Sequence, residues 1–276
     1  MSAPTIGVFD SGFGGLTVLR SLLARMPSAR YAFVGDTARL PYGSKSRRTI
    51  ARYAAESAQF LVRQQSAEFL VIACNTASAL ALDAIKDAVP VPVLGVIEPG
   101  ADAAKAATQS GDVLVIATDA TVHSHAYAAA CQARGLRALE KACPLLVPLV
   151  EEGWTGPDDA PQTEVTRRVI RIYLDEVLSD AAAHGMQPDT LLLGCTHYPL
   201  LRPLLEAAVP AGMRVIDSAD SAADAAAKQF NGRASAPANE TEVRCFATDS
   251  VEKFERLGSR FLGRPVGTVE LVDLGG

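Results

Sequence analysis

The chain has 276 residues, 49% of them hydrophobic, enough to bury one large core or two modest ones. Its 26 basic and 31 acidic residues leave a net charge of −5 with no run of like charge, which removes the electrostatic footprint of a protein that binds nucleic acid or an anionic membrane. No signal-peptide pattern opens the sequence, and no stretch approaches the roughly 18 uninterrupted apolar residues of a membrane span, so the expected location is the cytoplasm.

In chain order, apolar runs rich in β-branched residues predict strands at 5–10, 31–34, 68–73, 91–97, 112–117, 145–150, 190–194, 214–217, 243–247 and 268–272. Helical patterns lie between them at 15–25, 46–65, 77–87, 164–183, 200–208 and 251–261. This alternation predicts an α/β fold of mainly parallel sheets flanked by helices, in which ligands bind beyond the carboxyl ends of the strands. Two stretches read as loops: 153–162, able to cover a site, and 231–239, a surface connection.

The first strand ends at Asp10 and runs into Ser11, Gly12, Gly14 and Gly15. A dinucleotide fingerprint would need glycine where Thr17 stands, although Asp36 lies near the expected acidic position. The glycines therefore read as a tight turn, permitting close approach either of a ligand or of the protein's own packing. No metal-binding, phosphate-loop or Schiff-base lysine pattern occurs, so neither metal nor cofactor is expected.

Five cysteines, at 74, 131, 143, 195 and 245, form no close pair and make a disulfide framework implausible. Two of them sit in matching surroundings. FLVIACNTASALAL from Phe69 and LLLGCTHYPLLRPL from Leu191 are each an apolar strand, a small residue, Cys, a polar pair and a helix, separated by about the length of one α/β domain. A thiol just past a strand at the first turn of a helix meets backbone N–H groups that favour the thiolate. One such unit alone would fit a buried structural cysteine. The pair predicts two similar domains, each contributing Cys74 or Cys195 to chemistry, with Asn75, Thr76, Thr196 and His197 able to cap the helices or hold an anion. Asp10 could orient or relieve the Cys74 thiol, or only cap the following helix; His197 could serve Cys195, or only close its turn by a hydrogen bond.

These residues resemble the glutamate racemases of bacterial cell-wall synthesis. The resemblance is carried by FDSGFGGLTVL from Phe9, VGDTARLPYGSKS from Val34, IACNTASA from Ile72, EEGW from Glu151 and LLGCTHYPLL from Leu192, with weaker similarity beyond. It implies cofactor-independent interconversion of L- and D-glutamate by a two-base mechanism, with Cys74 the base toward D-glutamate and Cys195 toward L-glutamate. Asp10, Ser11, Tyr42, Gly43, Asn75, Thr76, Thr196 and His197 match the family's substrate-contacting positions, and Thr118 and Glu152 are further candidates. The implied fold is two α/β domains with the site in the cleft between them: 1–97 completed by 210–276, and 98–209. Glutamate is the expected partner, nucleic acid and membrane are not, and a homodimer is compatible with the reading. Aspartate racemases and other two-cysteine isomerases would share both thiols.

Overall fold

The computed structural model describes residues 3–156, 159–231, 234 and 241–275. Among the described residues ten strands, all paired in parallel, form two sheets. They are β1 (Thr5–Asp10), β2 (Arg30–Gly35), β3 (Phe69–Ile72), β4 (Val93–Gly95), β5 (Asp112–Ala117), β6 (Arg137–Ala142), β7 (Thr190–Gly194), β8 (Arg214–Asp217), β9 (Val243–Ala247) and β10 (Val269–Leu271). The first sheet runs β10-β9-β2-β1-β3-β4 and the second β6-β5-β7-β8. The chain divides accordingly into one unit of residues 1–96 and 219–276 and another of 97–218.

The central strands are buried on both faces, β1, β3, β5 and β7 entirely so, as parallel sheets covered by helices require. In the first unit Phe13, Phe33, Phe254 and Phe261 pack ring against ring on one face of the sheet, seating the helix Val251–Leu262. On the other face Phe9 and Tyr42 pack with Ile50, Ala54 and Leu61 of the helix Arg47–Arg63.

Four strands of each unit follow the same order, β2-β1-β3-β4 and β6-β5-β7-β8. The chain direction across each sheet reverses at β1 and β3 in one and at β5 and β7 in the other, the points where open α/β sheets bind ligands. The repeat read from the two cysteine segments is thus part of a repeat of four strands, to which the first sheet adds β9 and β10.

Several expectations need correction. Residues 145–150 are not a strand but the start of the helix Leu146–Glu151, with Leu146 and Val150 buried one turn apart. Arg137–Ala142 is a strand the sequence did not suggest, because RALEKA is made of good helix formers and is extended only through its pairing with β5. The helix expected at 77–87 begins at Asn75 and breaks at Ala81. Strand β8, placed in the first domain by the boundary at 209, pairs with β7 and belongs to the second unit. Of the expected loops, residues 157–158 of the first and most of the second lie outside the described residues.

Gly35 shows how tightly the β1 turn sits against β2: a Cβ there would stand 2.0 Å from the carbonyl oxygen of Gly12 and 2.7 Å from the Phe254 ring. Gly35→Ala is expected to destabilise the protein by about 3 kcal/mol, the cost of forcing a methyl into filled space, read as a lowered urea midpoint; an unchanged midpoint would contradict the packing.

Candidate active site

β1 and β3 are in register with Phe9 opposite Ile72, so Ser11 and Cys74 leave the sheet side by side. Cys74 is 5% exposed and caps the helix Asn75–Leu80, its Sγ accepting from the Ala77 N–H at 3.4 Å and lying 3.5 Å from Ser11 Oγ. Burial pushes the thiol up to about 12, and the Asp10 carboxylate pushes the same way; the contacts with Ser11 and Ala77 only partly oppose them. The helix start therefore does not win here, and Cys74 is held as the neutral thiol. Asp10 is buried, and its Oδ2 accepts from the Gly12 N–H at 2.9 Å. The glycines serve internal packing: a Cβ on Gly15 would stand 2.6 Å from that of Asp10 and 2.8 Å from that of Ala73, and one on Gly12 would meet Leu40. Asn75 and Thr76 are buried in the first turn after the thiol.

Tyr42 and Gly43 lie in the short 3-10 turn Tyr42–Ser44, after a cis Leu40–Pro41 peptide. The Tyr42 ring is turned into the core beside Phe9 and donates its hydroxyl to Asp36 Oδ2 at 2.6 Å. What this turn can offer a ligand is its backbone and Gly43.

In the second unit Ala117 of β5 is opposite Gly194 of β7, so Thr118 and Cys195 leave side by side, as Ser11 and Cys74 do. Thr118 Oγ1 lies 2.9 Å from Thr121 Oγ1. Cys195 is buried, but no long helix follows it: the chain enters a 3-10 turn, Tyr198–Leu201, and then the short helix Arg202–Glu206. A side chain supplies the positive charge instead. His197 Nδ1 is 4.0 Å from Cys195 Sγ and 3.4 Å from Thr196 Oγ1, and its Nε2 is 3.3 Å from Glu151 Oε1. Burial works to lower the imidazole, but its bonds to Cys195 and Glu151 outweigh it and raise His197 from 6.5 to about 10. A protonated imidazole at neutral pH stabilises negative charge on the neighbouring sulfur.

The structure thus groups Asp10, Ser11, Cys74, Asn75 and Thr76 at one sheet edge and Thr118, Cys195, Thr196 and His197 at the other. Glu152 is exposed at the end of its helix, and its neighbour Glu151 faces His197. Asp36 also gains importance as the buried anchor of Tyr42. Among the described residues no three His, Cys, Asp or Glu side chains converge to hold a metal ion, and no helix is long and apolar enough to cross a membrane.

Fold and site together define an α/β enzyme with one buried thiol at the reversal point of each of two sheets. A family model described as Asp/Glu/Hydantoin racemase matches residues 15–226. The chain belongs to that racemase family. It is 52% identical to the glutamate racemase of Koribacter versatilis (strain Ellin345), over 99% of this chain and 98% of that one. Among solved structures it is similar to glutamate racemase isoform RacE1 from Bacillus anthracis, with a TM-score of 0.88 and 34% identity over 99% of both chains. It is also similar to the glutamate racemase of Francisella tularensis subsp. tularensis SCHU S4 in complex with D-glutamate, with a TM-score of 0.86 and 33% identity over 99% of both chains.

Proposed function

We propose that the protein interconverts L- and D-glutamate without a cofactor, Cys74 and Cys195 exchanging protons with opposite faces of the α-carbon, and that it supplies D-glutamate for bacterial peptidoglycan in the cytoplasm. The observation that carries this reading is the pair of thiols at equivalent points of two sheets with the same strand order. Glutamate as substrate rests on the similarity to glutamate racemases, one of them bound to D-glutamate.

Inversion without an electron sink requires one thiolate to remove the α-proton and one thiol to deliver another from the opposite side. Cys74 is kept protonated by burial and by Asp10, and the His197 imidazolium stands beside Cys195. Starting from L-glutamate, Cys195 takes the α-proton and Cys74 protonates the other face; after one turnover the protonation states are exchanged, and the reverse reaction starts there. Asp10 and His197 assist their own thiols. Ser11, Gly43, Asn75, Thr76 and Thr196 supply donors that hold the substrate and stabilise the carbanion-like transition state, which in a dry site contributes much of the acceleration.

Purified protein incubated separately with L-glutamate and L-aspartate, and analysed by chiral chromatography, is expected to yield D-glutamate and about 100-fold less D-aspartate, the scale of discrimination that one missing methylene allows. Racemisation should survive dialysis against a chelator. Preference for aspartate would overturn the substrate, and loss of activity restored by pyridoxal phosphate or a metal would overturn the mechanism.

A further inference from the structure

Asp36 follows β2 and is completely buried, yet both its oxygens are engaged. Oδ2 accepts from the Tyr42 hydroxyl at 2.6 Å, and Oδ1 accepts from the hydroxyl of Thr248 at 2.9 Å. Thr248 comes from the far end of the chain, directly after β9. Its oxygen also accepts from the Ala38 N–H at 2.9 Å, so one hydroxyl ties the loop backbone and the buried carboxylate together. The contact continues: the Asp249 N–H donates to Thr37 Oγ1 at 2.9 Å, and Arg39 donates to the carbonyl of Gly275 while pairing with Glu56 at 2.8 Å. Asp36 is itself fixed to the catalytic edge, its N–H donating to the Asp10 carbonyl at 3.1 Å.

We propose that Thr248 is a positioning residue for substrate binding, acting through Asp36 to hold the Tyr42–Gly43 turn beside the Ser11–Cys74 edge. The inference rests on the reading of that turn as a substrate contact. Asp36 has several acceptor sites and no space to relax into, so its orientation follows its donors. Thr248 fixes Oδ1, which leaves Oδ2 aimed at Tyr42, and the buried Tyr42 ring sets the backbone of the residue after it. The task is precision of placement, not proton transfer, and a displaced turn should weaken binding of glutamate while sparing the chemical step.

Thr248→Val keeps the shape and removes both hydrogen bonds. It is expected to raise KM for glutamate about tenfold, as loss of one hydrogen bond to a buried charge does, with kcat within about twofold. Thr248→Ser should restore KM, which a role in packing alone would not predict. Thr248→Ala carries the same expectation should valine not be accommodated. Tyr42→Phe cuts the same chain at its other end, and the double variant Thr248→Val with Tyr42→Phe should have a KM no higher than the worse single variant, because groups acting in series do not add. An unchanged KM in Thr248→Val and Thr248→Ala, failure of serine to rescue, or multiplicative effects in the double variant would each overturn the proposal. Gly43→Val separates the two readings. If it leaves KM unchanged, the turn is not a substrate contact and the proposal falls with that reading; if it raises KM while Thr248→Val does not, only the role of Thr248 fails.

Discussion

Cys74→Ala and Cys195→Ala are each expected to lower kcat/KM for glutamate racemisation by at least about 10³-fold, the scale on which a positioned proton-transfer group contributes. Both thiols are small and buried, and alanine leaves only a small void at each, so the far-UV spectrum and thermal midpoint should change little. The two losses should not multiply: once one face of the α-carbon has no proton carrier, inversion cannot finish, and removing the second thiol takes away little that remains. Cys131, Cys143 and Cys245 are buried as well, and alanine at any of them should alter stability rather than turnover. In D₂O the wild-type product should carry deuterium at the α-carbon from the first turnover, because the proton delivered does not come from the thiol that abstracted. Near-normal turnover in either cysteine variant, or return of the original hydrogen in most product molecules, would show that a single base does the work.

Both thiols were legible in the sequence because their signal is local: an apolar strand, a cysteine and a polar pair, repeated. Strands β1, β5, β7, β8 and β9 were legible for a related reason, being short apolar runs with β-branched residues inside parallel sheets. The sequence misled where tertiary pairing overrides local preference. Arg137–Ala142 is extended only because β5 lies beside it, and LLVPLV at 145–150 is apolar enough for either state. Pro148 was the overlooked signal, since it has no N–H to give to a sheet. That misreading reached the site. With 145–150 taken as a strand, Glu152 was the candidate and Glu151 merely its neighbour ahead of a loop; at the end of a helix Glu152 is exposed and Glu151 meets His197. The anchoring of Tyr42 was invisible for another reason. Asp36 and Thr248 are far apart in sequence, and no periodicity links residues brought together solely by β2 pairing with β9.

His197 is raised to about 10 because Cys195 and Glu151 together outweigh its burial, so it stays protonated through neutral pH. Its charge contributes stability that is fully present below 6.5 and is lost as pH rises through about 10, and its help to Cys195 should fade over the same interval. Glu151→Gln removes one of the two supports while keeping the shape. Burial then counts for more, the imidazole loses its proton at lower pH, and the alkaline limb of the kcat/KM profile should move down by at least about one unit. A one-unit shift should appear as a loss of about twofold at pH 9 and about fivefold at pH 10, and His197→Asn should lose about 100-fold near neutral pH. Glu152→Gln, at an exposed position, should leave the profile where it is. The shift must also be the same in both directions: enantiomers have equal free energy in water, so kcat/KM for L- and D-glutamate stays equal in every variant, and only kcat and KM separately can diverge. Profiles measured from the two enantiomers must therefore coincide, and the comparison that tests the assignment is between variants. A shifted limb in Glu152→Gln, or an unmoved one in Glu151→Gln, would overturn the role given to Glu151.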